Sequence, residues 1–308
     1  MSLADKKGVD ISSCNGDVSM ETIKRAGYDF VMIRCGYGSD YEEQDDTQFE
    51  NNVRKCEAAG VPWGAYLYSY ACSVAQAKSE VEHVKRLLKG KRPTLPVALD
   101  VEDADGYHER NNAWNFETIN AVVKTFINGI RAAGYYPMLY TGFEELENLI
   151  SGEVADGVDI WFAQWWKTCD YKGKNLGMWQ YGGEENFIES NSIPGVGVID
   201  KDLCYKDYPT IIKNGGYNGW KKSENVLDVV GFQYLDRGDG VLALKEMLLQ
   251  ARRLGITTQG MDENGVFGDG TKIAVNQVLK KGGYEQNGIA GTNFIKYLAK
   301  LIKQATGK

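Results

Sequence analysis

Histidine is nearly absent: the 308 residues hold two, His83 and His108. A histidine-based nucleophile triad or metal cluster has almost nothing to work with, and no metal or cofactor is expected. The six cysteines, Cys14, Cys35, Cys56, Cys72, Cys169 and Cys204, form no CxxC pair. Reduced, partly buried thiols are expected rather than a zinc site or a disulfide framework. No apolar run approaches the roughly 20 residues of a membrane-crossing helix, so membrane insertion is not expected. The first residues, Met1 to Lys7, lack the apolar core of a secretory signal. The protein is then cytoplasmic when made, leaves by another route, or has had a signal removed. No dense Lys/Arg patch marks a nucleic-acid binder. No Gly-rich phosphate turn follows the first strand, which weighs against a dinucleotide-binding sheet.

The chain is 43% hydrophobic and 25% charged, as in a soluble globular protein. Its length suggests one large domain plus a small one. Residues 221–308 hold 13 Lys and Arg against 9 acids, while the chain as a whole nets −7. A mildly basic tail on an acidic body could help dock an anionic polymer, or be ordinary surface variation.

The run Thr94-Leu95-Pro96-Val97-Ala98-Leu99-Asp100-Val101-Glu102-Asp103 carries the chemistry. It reads as a buried strand that ends in acids. Strand side chains alternate, so Asp100 and Glu102 point the same way and Val101 points opposite. Two adjacent carboxylates at the mouth of a buried strand repel, and desolvation disfavours both ions. Chemistry that needs one protonated and one ionised carboxyl can use that cost, glycoside hydrolysis above all. A strand end whose acids are simply solvated is the alternative.

Strand-like and helix-like segments alternate through the first 140 residues. Strands are expected at Gly8–Ile11, Phe30–Arg34, Pro62–Ala71, the Asp100/Glu102 run and Met138–Thr141. Helices are expected from Ser19, Thr47, Ser73 and Asn115. Three more strands, Asp159–Trp165, Met178–Tyr181 and Val196–Tyr205, follow with little helix between them. Repeated strand–helix units imply parallel strands. Eight strands in about 200 residues suggest a barrel whose last third has lost its helices. Active sites of such barrels lie at the carboxyl ends of the strands. Asp10, the Asp100/Glu102 pair and Asp200 fall at or near such ends and would together form an acidic cup. Aromatics crowd the same strands: Tyr66, Tyr68, Tyr140, Trp161, Trp165, Trp179 and Tyr181. Aromatic faces can stack on sugars, although most such residues are core packing.

Residues 7 to about 210 resemble the glycoside hydrolase family 25 lysozymes, the Chalaropsis-type muramidases. The carriers are Gly8-Val9-Asp10-Ile11-Ser12, Phe30-Val31-Met32-Ile33-Arg34, Gly64-Ala65-Tyr66-Leu67-Tyr68, Leu99-Asp100-Val101-Glu102, Trp161-Phe162-Ala163-Gln164-Trp165, Trp179-Gln180-Tyr181 and Ile199-Asp200. The resemblance implies an α/β fold, a TIM-like (β/α)5β3 barrel. It implies cleavage of the β-1,4 bond between N-acetylmuramic acid and N-acetylglucosamine in bacterial peptidoglycan. Glu102 would be the general acid/base and Asp100 its acidic partner, with Asp10 and Asp200 completing the catalytic acids. Retention with participation of the substrate's N-acetyl group is implied. The expected substrate-binding residues are Tyr66, Tyr68, Tyr140, Trp165, Trp179, Tyr181 and Arg34. The family often has lysine where Arg34 stands, and asparagine where Asp202 stands.

A Gly-rich stretch, residues 211–223, reads as a linker between a barrel at 1–210 and a helical domain at 224–308. The second part is expected to be a small all-α three-helix domain. Its helices are Val241–Leu254, Thr271–Leu279 and Asn293–Ile302, the last two capped by Thr271 and Thr292. It resembles the three-helix peptidoglycan-binding domain through Gly265-Val266-Phe267-Gly268-Asp269-Gly270-Thr271 and Gly288-Ile289-Ala290-Gly291-Thr292. Asp262 to Asn264 lacks the spacing and terminal Glu of an EF-hand. The whole reads as a wall-lytic enzyme acting at the bacterial cell wall. It would be a phage endolysin released through holin-type lesions, or a secreted enzyme without its signal. A catalytically inactive wall-binding barrel and a glycosidase of another amino-sugar polymer are the alternatives.

Overall fold

The computed structural model describes residues 2–222 and 225–307. Eight strands close a barrel: β1 (Lys6–Ile11), β2 (Phe30–Tyr37), β3 (Trp63–Tyr68), β4 (Val97–Asp100), β5 (Pro137–Thr141), β6 (Asp159–Ala163), β7 (Leu176–Gly182) and, after a two-stranded ribbon of β8 (Ser192–Ile193) and β9 (Gly197–Val198), β10 (Asp200–Cys204). Their order around the barrel is β1-β10-β7-β6-β5-β4-β3-β2. Phe30 to Ile33 of β2 and Val97 to Leu99 of β4 are fully buried, as strands covered on both faces require.

Helices α1 (Met20–Arg25), α2 (Phe49–Ala59) and α3 (Val74–Leu88) follow the first three strands, α4 (Tyr107–Arg110) and α5 (Phe116–Ala132) follow β4, and α6 (Phe143–Asn148) and α7 (Gly152–Asp156) follow β5. No helix separates β6, β7 and β10, so the expected loss of helices in the last third is real. Ser19, Ser73 and Asn115 cap α1, α3 and α5 through their side chains. Gly60 ends α2 in the left-handed region, at φ 64°. Buried Ala77, Val81, Val84 and Leu88 recur at helical spacing on α3. That face meets α5 closely: a β-carbon at Gly129 would lie 2.7 Å from a Val81 methyl.

Two expectations are corrected here. The eighth barrel strand is not parallel: β10 runs antiparallel to both β1 and β7. Without a crossover helix after β7, the chain simply reverses, and the amino end of β10 arrives at the mouth where the other strands end. The stretch 211–223 is not a free linker throughout. Residues up to Gly215 complete helix α8 (Tyr208–Gly215). Asn218 is buried and donates to the carbonyls of Pro93 (3.1 Å) and Leu95 (2.9 Å), while its side-chain oxygen accepts from the Tyr136 amide.

The chain divides into two compact units, Met1–Ile212 with Tyr217–Gly219, and Lys213–Gly216 with Trp220–Lys308. The second contains α9 (Asp239–Arg253), α10 (Asp269–Lys281) and α11 (Thr292–Thr306). Val241, Leu244 and Leu248 meet Ala274, Val278, Phe294 and Leu298 in one core. The threonine caps are corrected: the cap positions are Gly268 and Gly291. Thr271 is buried inside α10, and the distant Asp228 carboxylate accepts from the Asn293 and Phe294 amides at the start of α11. Buried Lys245 fills the 262–266 loop, donating to Asp262, to the Asn264 carbonyl and to the Val266 carbonyl. The ammonium takes the position at the loop's centre.

Candidate active site

The barrel mouth holds a cleft of about 240 Å3. Asp10 enters it from the end of β1, directly in register with Asp200 at the start of β10. Asp100 enters from the end of β4, level with Tyr68 and Tyr140 on the flanking strands. Glu102 lines the same cleft from just past the strand. The third acid of the run, Asp103, turns the chain away. Its carboxylate caps α4, accepting from the His108 and Glu109 amides. The sequence therefore spends two of its three acids on the cleft and one on the turn that fixes them.

Arg34, Tyr66, Tyr68 and Tyr140 also line the cleft. Arg34 is held by Asp46 (2.9 Å) and by the Ser13 hydroxyl (3.1 Å), so its charge is fixed beside the acids. Trp161 packs against Tyr140 and Tyr66, with ring centroids 4.8 and 5.7 Å apart, as an aromatic wall of the cleft.

Trp165 is not in the cleft but on its rim. Its indole N–H donates to Gln180 (2.9 Å). Trp179 and Tyr181 do not reach the cleft at all. Gln180 takes the inward position of β7, so its neighbours point outward by strand alternation. Trp179 donates to the Gln164 carbonyl, Tyr181 donates to Glu189, and both belong to the surrounding apolar layer.

Gln180 is the residue the sequence reading passed over. Nearly fully buried, it accepts from Tyr140 and Trp165 and donates to Asp10 (each 2.9 Å). The signal was present: a lone amide inside an aromatic, apolar strand. Asp202, one layer deeper, accepts from the Trp161 indole N–H (2.8 Å).

The electrostatics follow from burial. Desolvation pushes the Glu102 carboxyl up to about 7, aided by the charges of Glu145 on α6 and of Asp200. The principal charged neighbour is thus Glu145, from a different element, rather than Asp100. Asp200 is raised to about 6, by burial first and Glu184 second. Asp100 is pushed well above the usual range by burial and by Glu102, with Arg34 opposing. Burial and the Asp200 charge do the same to Asp10. Burial also raises Asp202. One oxygen of Asp100 is buried in the cleft with no hydrogen-bond partner among the described residues. Among those residues no group of three or more His, Cys, Asp or Glu is placed to hold a metal ion.

The profile of the Glycosyl hydrolases family 25 matches residues 9–190. The chain belongs to glycosyl hydrolase family 25. Lysozyme M1 of Streptomyces globisporus is 26% identical over 166 residues, covering 53% of this chain and 48% of that protein. The match thus spans about half the length of that relative. Among solved structures, the modular autolysin LytC from Streptococcus pneumoniae, in complex with synthetic peptidoglycan ligand, has a TM-score of 0.55 at 22% identity, over 65% of this chain and 46% of that one. The CTP1L endolysin has a TM-score of 0.57 at 17% identity, over 98% of this chain and 100% of its own. These two likenesses concern the fold.

Proposed function

We propose that the chain is a muramidase that hydrolyses the β-1,4 bond between N-acetylmuramic acid and N-acetylglucosamine in bacterial peptidoglycan. The observation that carries this reading is Glu102, a carboxyl that keeps its proton to about pH 7 in a sugar-sized acidic cleft. A glycosidic oxygen leaves poorly unless protonated, and Glu102 is the group placed to protonate it. As the anomeric C–O bond breaks, the substrate's own acetamido carbonyl oxygen attacks the anomeric carbon. Asp100, with its unpartnered buried oxygen, accepts the acetamido N–H and so orients the attacking carbonyl oxygen. Glu102, now a carboxylate, takes a proton from water as that water opens the cyclic intermediate. Two inversions give net retention. Asp10 and Asp200 keep the cleft acidic, Gln180 fixes Asp10, and Tyr66, Tyr68, Tyr140, Trp165 and Arg34 contact the glycan.

The helical unit serves in this reading as a wall-binding module, raising the local concentration of an insoluble substrate. The site of action is the bacterial cell wall. Among the described residues no helix is long and apolar enough to cross a membrane.

Glu102→Gln keeps the shape and removes the proton donor. Its kcat on peptidoglycan is expected to fall by about 10²- to 10⁴-fold, with sedimentation on purified walls unchanged. Retained turnover would reassign the acid.

A further inference from the structure

Outside the cleft, the rim formed after β6 and β7 carries a compact set of exposed aromatics. Trp166 is 48% and Phe187 43% exposed, and their ring centroids lie 4.9 Å apart at a 57° tilt. Large rings exposed on a loose loop would collapse onto the surface. These are held out. Gly182 and Asn186 form a bridge before Phe187, and the Asn186 side chain accepts from the Ile188 and Glu189 amides just after it (each 2.9 Å). Glu189 is then tied to Lys7 (2.7 Å) and Tyr28 (3.0 Å) on the barrel. Trp166 follows Trp165, which is fastened to Gln180 and packs over Gly183 beside Asp200. Trp166 thus adjoins Trp165 on the Asp200 side of the cleft, and Phe187 sits in the turn that Asn186 closes.

We propose that Trp166 and Phe187 form a stacking platform for a sugar ring of the glycan strand, one that extends the binding site beyond the acidic cleft on its Asp200 side. The inference rests on the glycan-hydrolase reading given above. A pyranose offers a face of C–H groups about the size of one aromatic ring, with hydroxyls at its edge. The platform matches both features. It offers two large half-exposed rings, and the Trp166 indole N–H is a donor for a sugar hydroxyl. A protein partner fits less well. A stable interface buries about 800 Å2 per side, and this patch is a pair of rings with Lys167, Glu184 and Glu185 close by in the chain.

The test uses the full chain carrying Glu102→Gln, which binds without cleaving, and uncrosslinked glycan chains of alternating N-acetylglucosamine and N-acetylmuramic acid. Calorimetry is run from the tetrasaccharide to the octasaccharide. Affinity is expected to rise with chain length. Adding Trp166→Ala or Phe187→Ala should cut that length-dependent gain by about 3- to 10-fold, and Trp166→Phe should keep most of it. An unchanged length dependence in both alanine variants would overturn the platform. Binding of no chain by the Glu102→Gln protein would overturn the glycan-hydrolase reading itself, and the platform with it. A dimer that Trp166→Ala converts to monomer would make the patch an interface between copies, and would also overturn the proposal.

Discussion

Asp10, Asp100, Glu102 and Asp200 share one barrel mouth with the Arg34 guanidinium, and Asp202 lies one layer below them. Their raised carboxyl values make the site a cost to folding whose size depends on pH. The folded protein holds protons that the unfolded chain releases. Below about pH 3 the groups are neutral in both states and the cost is absent. It grows as pH rises through the range where the unfolded carboxyls ionise and the folded ones do not, and it is complete above about 7 for Glu102. Melting temperature is therefore expected to fall between pH 5 and 8. Glu102→Gln should flatten that fall, recovering about 1–3 kcal/mol at pH 8, and Asp202→Asn should flatten it in the same direction. Equal slopes in thermal melts of the variants and the parent would contradict the assignment. At this scale Asp10, Asp100, Glu102 and Asp200 were legible because each interrupts or ends an apolar run. Trp179 and Tyr181 were misplaced by a single step of strand parity, which an aromatic-rich strand does not reveal by itself. Glu145 was illegible, since its effect on Glu102 depends on the tertiary placement of α6, more than 40 residues further along the chain.

The barrel's elements were readable where hydrophobic period and caps agree. Ser73 and the apolar stripe define α3, and Asn115 with its stripe defines α5. The direction of β10 was not readable, because a strand's residues carry no sign of which way the preceding connection turns. The consequence is chemical: only an antiparallel β10 puts Asp200, its first residue, at the mouth and Asp202 below it. The contact between α3 and α5 depends on a missing side chain. Gly129→Ala would gain helix propensity of about 1 kcal/mol but would press a methyl against the stiff Val81 side chain. A net loss of about 1–2 kcal/mol in urea unfolding is expected. A stabilised variant would mean the two helices separate freely.

At the scale of the molecule, a barrel with an acidic mouth is joined to a helical unit with its own core. The division into two parts was legible from the change of pattern near residue 210. The boundary was blurred because Asn218, in a stretch that reads as linker, folds onto the barrel. The central claim is muramidase action by the barrel. The measurement that tests it most directly is digestion of purified peptidoglycan by the full chain, followed by borohydride reduction and mass spectrometry of the new ends. Muramitol at the new ends is the expected result. Glucosaminitol ends would contradict the bond assignment, and no new ends from walls that still sediment the protein would contradict hydrolysis itself.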